Sequence, residues 1–159
     1  MPQSNYQRLI KLAEEVFAVK SDPDQLDVNQ EIIEQLLKLH PATVSEFSDE
    51  NGPVAWLLVI PTTLELMNRF LAREISEKQL FELTNPGTKY EALYLCSALV
   101  LEEYRRKGII KRLTLKAIED IQRGHPIQCL FVWAFSKEGD KASEALARLT
   151  GLPLYKRAK

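Results

Sequence analysis

Arg105, Arg106, Lys107, Lys111, Arg112 and Lys116 stand in one stretch with no acidic side chain among them, and Gly108 lies in their midst. They fall where an apolar run, Glu91–Leu101, gives way to a helical pattern, Lys107–Arg123. A strand feeding directly into a helix leaves several backbone N–H groups without an acceptor at the positive end of the helix dipole. Phosphate groups bind well there, and a glycine lets an anion approach the backbone. Basic side chains around the same point add charge-assisted contacts. A solvated basic face at a helix start fits the same residues. Residue types alone leave the two readings level.

Other chemistries find little support. Cys96 and Cys129 each stand alone in an apolar run, with no Cys-x-x-Cys pair, and are expected to pack as small hydrophobes. His40 and His125 each precede a proline, a turn position rather than that of a ligand or base. Neither has a nucleophile elbow near it, so hydrolase and metal-site readings are set aside.

Elements able to position the basic turn follow from periodicity. Ser4-Asn5-Tyr6-Gln7 has capping-box form, and Tyr6, Leu9, Ile10, Ala13, Val16 and Phe17 then recur at helical steps. Ser21–Asp24 breaks that helix, and a second runs from Val28 to Leu39, stopping before Pro41. Ala42–Phe47 and Val54–Ile60 flank an Asn51-Gly52 turn as a β-hairpin that Pro61 closes. Thr63–Arg73 and Ser76–Leu83 predict two short helices, the second opened by the capping box Ser76–Gln79. Ile127–Phe135, apolar at nearly every position, predicts a central strand covered on both faces. Asp140–Thr150 predicts a last helix with Ala142, Ala145, Leu146 and Leu149 inward, and Leu152–Lys156 a short final strand.

The strand–helix–strand unit Glu91–Phe135 is expected as a right-handed parallel crossover joined to the antiparallel hairpin. The fold class is therefore α/β or α+β, with a mixed, partly parallel twisted sheet flanked by helices. A length of 159 residues fits one domain, 1–159. With 45% hydrophobic and 27% charged residues the chain is neither disordered nor low in complexity. A formal net charge of −1 argues against a generally basic nucleic-acid binder, yet the charge is unevenly spread. Residues 1–50 hold four basic and ten acidic side chains; residues 51–159 hold seventeen and twelve. No uncharged stretch reaches the roughly 18 residues of a membrane span, and no signal peptide is read, so a cytoplasmic location is expected.

The stretch Val100-Leu101-Glu102-Glu103-Tyr104-Arg105-Arg106-Lys107-Gly108-Ile109-Ile110 resembles motif A of the GNAT superfamily of acyl-CoA N-acyltransferases. In that motif a strand ends and Arg/Gln-x-x-Gly-x-Gly/Ala opens a helix. Arg105 and Gly108 match the first two fixed positions, whereas Ile110 replaces a small residue and Arg106 stands where many members carry Gly. Ala145–Leu152 is similar to the family's last helix and its closing step. The resemblance covers Tyr90–Leu152 and extends back to Ala42. Residues 1–41 are atypical, with two helices in place of the family's first strand.

The resemblance implies that N–H groups of Arg105, Arg106, Lys107, Gly108, Ile109 and Ile110 bind the diphosphate of acetyl-CoA or another acyl-CoA. Backbone groups of Ala98, Leu99 and Val100 would pair with the pantetheine arm, in a cleft where the strand ending near Val100 splays from Ile127–Phe135. One N–H there would polarise the thioester carbonyl, on oxyanion-hole logic. The family's usual acid, a Tyr on the last helix, is replaced by Ala147, and the Glu base of histone-type members by Tyr94. Tyr94, as a proton relay, and Ser143 are the remaining catalytic candidates. Asp140 takes the place of a common Asn, where helix capping serves equally well.

The leading expectation is an N-acyltransferase, acetyl in particular, in which an amine attacks the thioester directly. Its partners are a CoA thioester and an amine acceptor, without metal or membrane; a homodimer is allowed. The acidic surplus of residues 1–50 suits a cationic amine. An alternative keeps the fold as a catalytically degenerate CoA-binding or interaction module. A third, nucleic-acid binding through Arg105–Lys116, lacks an aromatic platform.

Overall fold

Ser4 Oγ accepts the Gln7 N–H at 3.2 Å and Gln7 Oε1 accepts the Ser4 N–H at 3.1 Å, so both bonds of the first capping box are made. They open α1 (Asn5–Val19). The computed structural model describes residues 4–19, 30–133 and 137–158. The expected break at Ser21–Asp24, the helix start at Val28 and the strand end at Ala134 and Phe135 lie outside the described residues, as do the side chains of Tyr6, Val16 and Phe17.

The remaining elements are α2 (Gln30–Leu39), β1 (Val44–Asp49), β2 (Gly52–Thr62), α3 (Leu64–Leu71), α4 (Glu77–Leu83), β3 (Ala92–Val100), α5 (Ile109–Gln122), β4 (Cys129–Val132), α6 (Lys137–Thr150) and β5 (Leu154–Lys156). Short 3-10 turns occupy Pro41–Thr43 and Glu102–Tyr104. Thr63 caps α3 through the Leu66 N–H at 3.2 Å, and Ser76 with Gln79 completes a second capping box on α4. The order of helices and strands is the one periodicity predicts.

Two local expectations are corrected. Pro61 does not close the hairpin: β2 continues through it to Thr62, and Pro61 pairs with Leu93 of β3. Pairing with β1 ends at Val44 and Leu58, so the missing N–H of Pro61 faces no second strand. On α6 the inward face is turned from the one expected. Ser143 and Leu146 are buried, whereas Ala142 is exposed and Leu149 is 56% exposed.

The five strands form one mixed sheet in the order β1-β2-β3-β4-β5. β1/β2 and β2/β3 are antiparallel, β3/β4 and β4/β5 parallel. This is an α+β fold with helices on both faces of an open sheet. Leu58, Ile60, Ala92, Tyr94 and Phe131 face α2, α3 and α4, burying Leu36, Phe70 and Leu80. Leu57, Val59, Leu93 and Leu130 face α5 and α6, burying Ile118, Ile121 and Leu146. A third apolar cluster joins Leu9 of α1 to Val54, Ala55, Leu99, Leu101 and Ile109 at the far ends of β2 and β3.

Candidate functional site

The join between β3 and α5 is built from a succession of short backbone bonds. Leu101 N–H reaches Val54 O at 2.9 Å, Tyr104 N–H reaches Leu101 O at 2.9 Å, and Arg105 N–H reaches Glu102 O at 3.2 Å. The chain then turns twice through the left-handed region, at Arg106 (φ 64°) and at Gly108 (φ 75°), which is the N-cap of α5. The helical bonds begin with Arg112 N–H to Gly108 O at 3.0 Å. Among the described residues, the N–H groups of Arg106, Gly108, Ile109, Ile110 and Lys111 have no acceptor on the chain, while Arg105 and Arg106 form a turn of type II shape that directs Lys107 N–H back toward Tyr104 O. Left-handed residues in such a turn bring successive N–H groups together as an anion-binding concavity.

A Cβ at Gly108 would meet nothing within 4 Å, so the space above the glycine is open to a ligand. Arg106 stands where the resemblance leads one to expect Gly, and its positive φ is the conformation glycine adopts without cost. The backbone shape of the motif is therefore kept on a bulky residue. Arg105, Arg106, Lys107, Lys111 and Arg112 are all exposed, whereas Ile109 is buried and anchors the helix start. Ile110, the departure at the third motif position, is half-buried against the third apolar cluster.

Pairing between β3 and β4 stops at Tyr94 and Phe131, while β3 runs on through Leu95–Val100. A bulge accompanies the change: the β2 register shifts between Leu58, which faces Ser97, and Val59, which faces Leu95, leaving Cys96 as the extra residue. A bulge bends its strand and increases the local twist. Beyond it, the Leu101 bond to Val54 makes Val100 and Ala55 a non-hydrogen-bonded pair. By alternation, the N–H and C=O groups of Ala98 and Val100 point away from β2, toward the side where β4 lies, and those of Leu99 belong to the β2 ladder. Two of the three residues expected to meet a ligand arm thus offer an unpaired strand edge. Arg105 Nε donates to Val100 O at 3.4 Å, linking that edge to the basic turn.

The acid–base candidates are not brought together. Tyr94 is 1% exposed on the α3/α4 face, stacked on Phe131 with ring centroids 5.0 Å apart. Its hydroxyl donates to Glu77 Oε2 at 2.5 Å. Burial, reinforced by the Glu77 charge, holds the phenol well above its ordinary range. Ser143 lies on α6, on the opposite face, where its Oγ bonds to the carbonyls of Gly139 at 2.9 Å and Asp140 at 3.0 Å. Asp140 is inside α6, which begins three residues earlier at Lys137, and faces Lys156 at 3.5 Å.

No family model and no curated protein matches the chain.

Glu77 is the partner of Tyr94 that sequence reading passes over. It is 5% exposed, yet it opens a short helix at a capping-box position that reads as surface. Cys96 Sγ lies 4.0 Å from the same carboxylate oxygen. Elsewhere, a groove of about 530 Å³ lies between α5 and the start of β1, bordered by His40, Glu46, Lys116, Asp120 and Arg123. Its charges are largely engaged: Arg123 with Glu119 at 3.3 Å and Asp120 at 3.4 Å, Glu46 with Trp56 Nε1 at 2.8 Å. Among the described residues no three His, Cys, Asp or Glu side chains converge to hold a metal, and no helix is long and apolar enough to cross a membrane.

Proposed function

We propose that the chain binds an acyl-CoA and transfers its acyl group, acetyl in particular, to an amine. One observation carries the reading: an open strand edge at Ala98 and Val100 leads, within a few residues, into a turn where the N–H groups of Arg106 and of Gly108 to Lys111 are free. A diphosphate fits the turn, because consecutive N–H groups, the α5 dipole and five exposed cations all favour it. An extended amide-bearing arm fits the edge, because Ala98 and Val100 present donors and acceptors as a neighbouring strand would. The thioester supplies the acyl group; the chain's part is to hold the ligand and set one N–H toward the carbonyl oxygen. The likeness of Val100–Ile110 to motif A points the same way.

A second reading, a CoA-binding module without turnover, is favoured by the acid–base candidates. The Tyr94 hydroxyl is engaged with Glu77 out of contact with solvent, the Ser143 hydroxyl is back-bonded along its own helix, and Ala147 offers no acid. Thermal melts with CoA and acetyl-CoA test both, since a ligand selective for the folded state must raise the Tm. Absence of a shift at millimolar ligand rejects the two together. A shift without release of free thiol across a panel of amines retains only the module.

A further inference from the structure

The turn that would hold the diphosphate is gripped from outside by α1, an element the resemblance does not account for. Arg8 makes a two-pronged pair with Glu103, Nη1 to Oε2 at 2.6 Å and Nη2 to Oε1 at 2.5 Å. The neighbouring Tyr104 donates its hydroxyl to Asp49 Oδ2 at the β1–β2 turn. Asp49 Oδ1 in turn accepts from Asn5 Nδ2 at 2.9 Å, one helical turn before Arg8, and from the Asn51 N–H at 2.7 Å. Leu9, fully buried, packs in one cluster with Leu101 and Ile109, the residues on either side of the turn. α1 therefore pairs with Glu103 at the start of the turn and shares one apolar cluster with the residues on its two flanks.

The turn has a reason to need such support. It holds a non-glycine residue, Arg106, at φ 64°, which persists only when the surroundings over-determine it. Its five free N–H groups, of Arg106 and of Gly108 to Lys111, gain nothing from the chain until an anion arrives. An anion site is stronger when its donors are already in place, because the cost of ordering the loop is met before binding.

We infer that Arg8, through Glu103, is a positioning residue for anion binding, and that α1 serves to hold the β3–α5 turn in its binding shape. This rests on the acyl-CoA reading for the ligand's identity but not for the existence of the grip. The strong hydrogen bond from Arg8 also brings the Glu103 carboxyl down to about 2, so the pair is charged throughout the physiological range.

Charge alone predicts the opposite of positioning in one variant. Removing Glu103 takes a negative charge from beside an anion site and should tighten binding electrostatically; removing a positioning group should weaken it. The experiment titrates CoA, and separately inorganic diphosphate, into wild type, Arg8→Ala, Glu103→Ala and the exchanged pair Arg8→Glu/Glu103→Arg. Amide hydrogen exchange of Leu101, Tyr104, Arg105 and Arg112, whose N–H groups are bonded within and beside the turn, is measured on each free protein. Both single variants are expected to weaken binding, by about fivefold each on the scale of a well-formed exposed pair, and to speed exchange in the turn with little change in Tm. The exchanged pair is expected to restore both. Glu103→Ala that binds as well as or better than wild type, or exchange that is the same in all four proteins, overturns the inference. If wild type binds neither ligand, the acyl-CoA reading fails, and the exchange rates still decide whether α1 holds the turn.

Discussion

Tyr94 of β3 and Glu77 of α4 meet at 2.5 Å inside the protein, at the last rung where β3 and β4 are paired. The bond ties the α3–α4 segment to the sheet just where the two central strands begin to part. Removing its donor takes one charge-assisted bond from a buried carboxylate. Tyr94→Phe is expected to lower unfolding stability by about 1–3 kcal/mol in a urea titration. CoA affinity should be unchanged, because the phenol faces α3 and α4 rather than the basic turn. A variant with weakened CoA binding and unaltered stability would place Tyr94 in ligand contact instead.

Gly108 and Arg106 share a left-handed backbone but predict different results. At Gly108 the space beyond the Cα is open, so a side chain meets no protein atom and instead occupies the approach of an anion. Gly108→Val is expected to fold, at a backbone cost of about 1–2 kcal/mol, and to lose CoA binding. At Arg106 the strain is already present. Arg106→Gly should leave stability nearly unchanged, because relief of strain offsets the added freedom of the unfolded chain. Circular dichroism melts alongside calorimetric titration separate these effects, and undiminished affinity in Gly108→Val would remove the anion site from this turn.

The inward face of α6 gives a test on packing alone. Leu146 is 6% exposed and belongs to the cluster with Ile118 and Ile121, while Leu149 is 56% exposed. Leu146→Ala should cost about 2–5 kcal/mol, and Leu149→Ala should stay within about 0.5 kcal/mol of wild type. Equal losses in chemical denaturation would mean that both leucines face the core, as their spacing in the sequence suggests.

That contrast shows what the sequence could carry. Helices with capping boxes at Ser4 and Ser76, the Asn51-Gly52 hairpin and the strand–helix join at Gly108 are written in local residue types, and all were legible. The rotation of α6 was not, since Ala142, Ala145, Leu146 and Leu149 mark one apolar stripe, whereas the neighbouring elements bury the adjoining stripe through Ser143 and Leu146. Pro61 reads as a strand end because a proline's harmlessness depends on where the adjacent strand stops. The site divides in the same way. Its glycine and cations are consecutive and visible, whereas its supports come from far along the chain: Arg8 reaches Glu103 across 95 positions and Asp49 is 55 from Tyr104. No period in the sequence links such partners, and an acidic residue such as Glu77 reads as surface until the fold buries it.

His125 gives the chain a pH dependence of defined sign. Its Nδ1 accepts the Tyr90 N–H at 3.2 Å, its ring lies against Tyr90 at 4.6 Å between centroids, and the His40 ring is 5.9 Å away. Burial, with the charge of Lys89 and the nearness of His40, holds the imidazole below its ordinary value of 6.5. A depressed folded value means that the folded state prefers the neutral ring. The contribution is therefore complete above the unfolded value and is lost as pH falls through the folded one. Protonation also places a hydrogen on Nδ1 and ends the bond to Tyr90, two residues ahead of β3. Thermal melts between pH 7.5 and 5, about 1 unit above and 1.5 below the free imidazole value, should show the wild type losing stability as the pH drops. His125→Asn, whose Oδ1 accepts the same N–H without titrating, should show a flatter profile, and a profile identical to wild type would assign the acid sensitivity to another group.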